Sequence, residues 1–451
     1  MFDPKCFKAY DVRGIYPDQI DDETAYKVGQ AYADFVKPQG KIAVGMDVRN
    51  SSPALKKNLI QGFVDAGVDV VDIGLVSTEE YYFAVGYYKF SGGIQVTASH
   101  NPKEYGGFKM VREDVIPISG DTGLFDIRDK VTAGFKLESD KKGIVEIKDI
   151  HDDFARFALT FINASKIKPL KLVYNPNFGF EGYVLKKVVE LGKLPLDLVP
   201  LNAQPDGNFP KGRPDPFIPE NRPEFVELVK SSGADLGVAW DADADRVFFC
   251  ADGGTFVESY FINSILIGRI LDKNPGEKII YDPRNTWALI DAIKSHGGTP
   301  LLERVGHSFI KARMRKDNAI FSGESSGHTY FRDFYYADSG IIPLLLVLEM
   351  LSESGKKLSE ILEPVFSKYF ISGEINFETP NKDKIFGILK QKYADSQFSD
   401  LDGISIEYPD WRFNLRGSNT EPKLRLNLEA KSQKIMEEKR DEVNKIIDNN
   451  K

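Results

Sequence analysis

The chain has 451 residues, 42% hydrophobic and 12% aromatic, with a net charge of −8. That length implies several domains, and an acidic chain without a basic run excludes a nucleic-acid footprint. With two cysteines, no signal-peptide segment in Met1–Lys5 and a longest apolar stretch (Ile341–Leu348) broken by Pro343, a disulfide framework and a membrane span are excluded and a cytoplasmic protein is expected.

In chain order, Tyr10-Asp11-Val12-Arg13-Gly14 reads as an N-terminal turn that presents Arg13. Lys41–Asp47 reads as a short buried strand, Ala54–Ala66 as a helix closing near Gly67, and Val68–Ile73 as a second strand. A third strand, Gly93–Val96, delivers Thr97-Ala98-Ser99-His100-Asn101-Pro102, a small hydroxyl in a tight turn. By position alone such a serine is more often a turn former than a nucleophile. Adjacent side chains rarely aim at one another, so His100 is expected to hold phosphate or the loop. Tyr105-Gly106-Gly107-Phe108-Lys109 places Lys109 shortly after the serine.

The pattern recurs at Lys171–Asn175, at a helix Gly182–Leu191 closing near Gly192, and at strands Leu196–Leu201 and Asp235–Trp240. The last of these delivers Asp241-Ala242-Asp243-Ala244-Asp245-Arg246. Alternate residues of an extended segment project to one side, so three carboxylates can converge. Their hard oxygens suit Mg²⁺ or Ca²⁺. An EF-hand is excluded, because its sixth position would be Arg246, its twelfth Asp252, and strands flank the loop. Three packed anions without a cation are unfavourable, which argues against a merely solvated acidic turn.

A third round runs through strand Lys278–Asp282, helix Thr286–Ser295 near Gly297, and strands Pro300–Val305 and Asn318–Phe321. It ends in Gly323-Glu324-Ser325-Ser326-Gly327-His328, whose carboxylate, hydroxyls and imidazole suit sugar hydroxyls. Of five histidines, His100, His307 and His328 are read in such loops. Three strand–helix–strand units favour right-handed crossovers and largely parallel sheets, with ligands beyond the carboxyl ends of the strands.

After a hinge expected near Phe366–Gly373, the pattern changes. A strand at Glu374–Phe377, a helix at Lys382–Lys392, strands at Ile404–Tyr408 and Leu424–Leu428, and a charged helix from Ser432 read as a smaller α+β domain. Arg416-Gly417-Ser418-Asn419-Thr420-Glu421-Pro422 has the cation, glycine, hydroxyls and amide of a phosphate-cradling loop.

These four motifs, in this order and across essentially the whole chain, resemble the α-D-phosphohexomutase superfamily, in particular its phosphomannomutase/phosphoglucomutase branch. The resemblance implies three related mixed α/β domains of βαβ type and a smaller C-terminal α+β domain around a central cleft. Its boundaries here would be 1–150 with the phosphoserine loop, 151–252 with the metal loop, 253–368 with the sugar loop, and 369–451 with the phosphate loop. It also implies a reaction in which Ser99 carries a phosphoryl group and, with Asp241, Asp243 and Asp245, binds Mg²⁺. The group would pass to a hexose 1- or 6-phosphate, and the 1,6-bisphosphate would return its other phosphate, isomerising mannose and/or glucose phosphate.

In that scheme Lys109 and His328 are candidates for acid–base work, with Arg13 and His100 beside them, and Arg246 stabilises charge. Tyr10, Arg284, His307, Glu324 and Ser326 would contact substrate. Arg416, Ser418, Asn419 and Thr420 would hold the phosphate not being transferred. Hexose 1,6-bisphosphate would act as activator, the partner would be a sugar phosphate, and the enzyme a monomer or dimer. Ser325 stands where related enzymes often carry Met, Glu or Gln, and Asn175–Phe180 is bulkier than the family's usual turn. Rival readings are a phosphoglucosamine mutase, a metal-dependent sugar phosphatase and a silent sugar-phosphate-binding protein.

Overall fold

The computed structural model of the chain describes residues 3–417 and 423–451. It divides into two compact units, one built from residues up to 256 with 327–357, the other from 257–326 with 358–451.

In the first unit, Ile42–Met46 lies between Gly92–Val96 and Val70–Leu75, parallel to both. Their apolar, β-branched runs are buried on both faces, as parallel strands require. Val145–Ile147 extends the parallel side. On the other side the sheet turns antiparallel, with Tyr105–Arg112 against Gly92–Val96 and Val12–Ile15 against Tyr105–Arg112. Arg13 therefore stands on a strand opposite Gly107, not in the expected turn. Gly107 makes this approach possible, since a Cβ there would lie 2.0 Å from the Val12 carbonyl oxygen. The antiparallel return also sets Lys109 beside Gln95, on the strand next to the one that ends in the serine loop.

Helices Asp22–Val36 and Ser52–Asp65 cover this sheet through Val28, Leu55, Leu59 and Phe63, all fully buried with Ile42, Val44 and Phe108. Truncating one such side chain to Ala costs about 2–5 kcal/mol.

A second sheet in the same unit places Leu170–Asn175 parallel to Leu196–Pro200 and Leu236–Trp240, with Val247–Ala251 returning antiparallel. Residues 241–246 thus form the turn of a hairpin rather than an extended run, and Ala244 has φ 59°. The helix after Leu170–Asn175, Glu181–Gly192, ends on Gly192, but Lys193 takes the left-handed position (φ 48°). The unit also holds the hairpin Thr329–Phe331 with Ala337–Asp338, in which Tyr330 faces Asp338.

In the second unit Lys278–Tyr281 is parallel to Thr299–Leu302 and to Phe321–Gly323. The third strand starts at Phe321 rather than Asn318, because Asn318 (φ 53°) is the left-handed residue that ends helix His307–Asp317. His307 opens that helix after Gly306 and is not a loop residue. The C-terminal strands run Phe370–Glu378, Lys423–Ala430, Trp411–Gly417, Ile404–Glu407 and Gln397–Ser399, all antiparallel. Helices Lys382–Lys392 and Gln433–Asp448 close this core through Ile385, Leu389, Val443 and Ile447. Most of the expected hinge is structured: helix Leu358–Phe366 ends in it, and the strand from Phe370 is bulged between Ile371 and Glu374. Among the described residues no helix is long and apolar enough to cross a membrane.

Candidate active site

The chemistry of the first unit converges on Ser99. The chain leaves strand Gly92–Val96 and turns so sharply that Ser99 takes φ 50°, an uncommon conformation for a residue with a Cβ. The strain persists because the loop is held from several directions. The Thr97 hydroxyl accepts the Ser99 amide at 2.9 Å and donates to Asp47 at 2.7 Å. The guanidinium of Arg49 donates to the carbonyls of Ser99 (2.5 Å), Asn101 (2.5 Å), Pro102 (2.6 Å) and Tyr105 (3.1 Å). Arg49 is 1% exposed, and its nearest counter-charge is Asp47 at 3.2 Å. Burial pulls its pKa down, and Asp47 opposes that shift.

Sequence reasoning missed both Asp47 and Arg49. The available signal was the run Asp47-Val48-Arg49-Asn50-Ser51-Ser52 at the carboxyl end of a buried parallel strand, where ligand sites form.

The Ser99 hydroxyl donates to Asp241 at 3.1 Å and lies 3.1 Å from His100 Nδ1. His100 therefore does aim at its neighbour, contrary to the sequence expectation. Burial, then the cations Arg246, Arg13, Arg213 and Lys109, push its pKa well below the usual range, so the imidazole is neutral.

Asp241, Asp243 and Asp245 are 0%, 1% and 4% exposed and offer oxygens that all lie within 4.8 Å of one another. The convergence comes from the curled hairpin turn, not from strand alternation. Lys109 donates to Asp243 at 2.6 Å and also pairs with Asp245. Thr78 donates to Asp243 at 2.7 Å, and the Arg246 amide donates to Asp241 at 3.2 Å. Asp243 Oδ1 and Asp245 Oδ1 remain buried without a hydrogen-bond partner. Burial, with Asp245 and Asp243 beside it, raises the Asp241 pKa. For Asp245, burial also acts to raise the pKa, but Lys109, His328 and Arg246 outweigh it and hold it low. Burial alone would lower the Lys109 pKa, yet Asp243 and Asp245 raise it, so Lys109 is an ammonium here. A dense anionic nest with two orphaned hard oxygens fits a small divalent cation.

Two further cations, Arg13 and Arg246, and the His328 imidazole belong to the same unit. Arg13 donates to Asp11 at 2.8 Å and to Asn101 at 2.6 Å, which ties its strand to the serine loop. Arg246 Nε donates to His328 Nε2 at 3.2 Å. His328 Nδ1 lies 2.9 Å from Asp338 and 3.8 Å from Asp245. With Nε2 accepting, a neutral ring carries its proton on Nδ1, the nitrogen nearer Asp338. Tyr10 is half-buried in the bend before the Arg13 strand.

The second unit carries a separate set. Arg284 is 3% exposed and clamped by Asp282, to Oδ1 at 2.9 Å and Oδ2 at 2.7 Å, with Glu324 3.7 Å away. Burial opposes its charge, but Asp282 and Glu324 raise its pKa. Glu324 accepts the Gly306 amide at 3.2 Å, next to His307, and the Ser326 hydroxyl at 3.3 Å. Arg416, on strand Trp411–Gly417, is 6% exposed and donates to Asp402 at 3.1 Å. Ser418, Asn419 and Thr420 lie outside the described residues.

This geometry can be set against known proteins. The profiles of phosphoglucomutase/phosphomannomutase alpha/beta/alpha domains I, II and III match residues 4–137, 152–254 and 259–369, and that of its C-terminal domain matches 374–446. A phosphomannomutase of Vibrio cholerae is 44% identical over 98% of both chains. Phosphohexose mutases of Xanthomonas campestris are 43% identical over 98% of this chain and 99% of theirs. A solved phosphoglucomutase/phosphomannomutase family protein of Burkholderia thailandensis is 31% identical and superposes with a TM-score of 0.89 over 99% of this chain and 98% of that one.

Proposed function

We infer the reaction from one premise: the chain belongs to the phosphoglucomutase/phosphomannomutase family. The chain is a phosphohexomutase, an isomerase that interconverts hexose 1-phosphate and hexose 6-phosphate through an active-site phosphoserine. The relatives named phosphomannomutase point to mannose phosphate, with glucose phosphate as second substrate. The four-part division at residues 150, 252 and 368 belongs to the same reading.

The observation that carries it is the Ser99 hydroxyl, 3.1 Å from Asp241 at the rim of a buried carboxylate nest that already binds one ammonium. A phosphoryl group esterified at this Oγ would meet Lys109, Arg246 and Arg13, three cations placed before charge develops. Asp241, Asp243, Asp245 and the phosphorylated Ser99 would hold Mg²⁺, which when bound supplies neutralisation of phosphoryl charge. A sugar hydroxyl attacks the phosphorus as its proton leaves to His328 Nε2, and the Ser99–phosphate bond breaks, with the Lys109 ammonium protonating the serine oxygen. The hexose 1,6-bisphosphate then returns its other phosphate to Ser99, with each proton transfer reversed. Glu324 and Ser326 would bind sugar hydroxyls common to both orientations, and Tyr10, Arg284 and His307 would also contact substrate. Arg416, Ser418, Asn419 and Thr420 would grip the phosphate that is not transferred. The enzyme works in the cytoplasm as a monomer or dimer, with added bisphosphate as activator.

Intact-mass spectrometry after incubation with glucose 1,6-bisphosphate tests this directly. One added phosphoryl unit is expected on the wild type and none on Ser99→Ala, which loses mutase turnover. Full activity of Ser99→Ala overturns the phosphoserine. Comparing mannose-, glucose- and glucosamine-1-phosphate ranks the sugars, and stoichiometric release of free phosphate would favour a phosphatase.

A further inference from the structure

One carboxylate outside all four motifs joins two of the groups just named. Asp402 Oδ2 accepts Arg416 Nε at 3.1 Å and, from the other side, the Val305 backbone amide at 3.0 Å. Val305 precedes Gly306 and His307, and the next amide, that of Gly306, is held by Glu324 at 3.2 Å. Two carboxylates therefore grip consecutive amides of the turn that launches helix His307–Asp317. Gly306 has φ 135°, a backbone that glycine adopts without the steric cost of a Cβ.

Asp402 is itself fixed. Its carbonyl accepts Asn414 Nδ2 at 2.9 Å. The next residue, Gly403, has φ 71° and packs so closely on the Arg416 strand that a Cβ would lie 2.3 Å from the Leu415 carbonyl oxygen. The Asp402 side chain is 17% exposed and that of Arg416 7%, so their contact is a partly desolvated, charge-assisted hydrogen bond rather than a loose surface pair.

We propose that Asp402 is a positioning residue for phosphate capture: it sets the plane of the Arg416 guanidinium and, through Val305, the place of His307. The Nε–H is used on Asp402, which leaves the opposite guanidinium edge to meet a phosphate. An unheld Arg416 would sample many rotamers, and the lost order would be paid at each binding event. This rests on the reading of Arg416 and His307 as phosphate contacts.

The test compares Asp402→Ala with the isosteric Asp402→Asn, which keeps an acceptor for Val305 and loses the charge toward Arg416. Asp402→Ala is expected to raise KM for hexose 1-phosphate about tenfold with kcat within about threefold of wild type. Asp402→Asn should raise KM about threefold and answers the question if the Ala variant does not fold. In an Arg416→Ala background Asp402→Ala should add less than it does alone, since the two act as one unit. An unchanged KM in Asp402→Asn together with full additivity in the double variant overturns the proposal. If the wild type shows no mutase turnover, the reading of the reaction fails on its own. Asp402 is then judged by calorimetry with hexose 6-phosphate, where Asp402→Asn must weaken affinity about threefold relative to wild type or the proposal falls.

Discussion

His328 Nδ1 lies 2.9 Å from Asp338, while its Nε2 accepts from Arg246 at 3.2 Å. His328 immediately precedes strand Thr329–Phe331 and Asp338 ends its partner Ala337–Asp338, in a hairpin whose register places Asp338 opposite Tyr330. A ring that carries its proton on Nδ1, beside this carboxylate, keeps a lone pair on Nε2, the form a proton acceptor needs. Asp338→Asn keeps the shape and removes the charge. It is expected to lower kcat about 10- to 100-fold with little change in melting temperature. A kcat within a factor of two of wild type would remove Asp338 from this role.

Arg49 organises the Ser99 loop by donating to four carbonyls from a fully buried position. Lysine cannot reproduce that fork. Arg49→Lys is expected to destabilise the protein by about 2–4 kcal/mol, because buried acceptors lose their donors. Denaturant unfolding measures the loss. Turnover should fall with it, since the left-handed Ser99 backbone has no other support of that strength.

The carboxylate nest should report cation binding without any turnover. At a hundredfold excess over its dissociation constant, Mg²⁺ should stabilise the fold by about 2.7 kcal/mol. Asp243→Asn should abolish most of the shift, read as melting temperature with and without chelator. The same variant weakens the Lys109 contact, so its metal-free stability should fall as well. An undiminished Mg²⁺ shift in Asp243→Asn would place the ion elsewhere.

A second buried acid cluster makes stability depend on pH. Glu79, Glu80 and Glu181 are all fully buried. Glu79 accepts the amides of Gly340 and Ile341 at 3.1 Å and also the Ser339 hydroxyl. Glu80 faces His151 at 2.7 Å. Burial raises the Glu79 pKa from 4.5 to about 7, although Glu181 and Ser339 oppose the shift, and burial with Glu79 alongside raises that of Glu181 further still. Burial lowers the His151 pKa, but Glu80 outweighs it and raises it. In all three groups the folded state holds its proton more tightly than the unfolded chain. Their contribution is complete below pH 4.5 for Glu79 and is lost as pH climbs through 7. Unfolding free energy should decline between pH 5 and pH 8, and Glu79→Gln should flatten much of that decline.

The repeat of strand, helix and strand was legible because buried parallel strands are continuous apolar runs and helices close near glycine. Ile42–Met46, the two strands beside it and Lys278–Tyr281 fall within two residues of expectation for that reason. Arg13 was misread because strand Val12–Ile15 is four residues long and gains its identity only from its partner. Helix His307–Asp317 escaped notice because its sequence is too charged to show an apolar face.

By itself the sequence determined which chemical groups exist and in what order: a hydroxyl, three carboxylates and an imidazole, each just past a strand, and then a guanidinium. Short-range composition suffices for that, since loops at strand ends must be polar and glycine-rich. Only the tertiary structure decided who meets whom: Arg49 with the serine loop, Asp338 with His328, Asp402 with both Arg416 and Val305. These pairs are separated by 10 to 97 residues, and direction, burial and register over such spans are fixed by sheet topology and core packing, which no local pattern encodes.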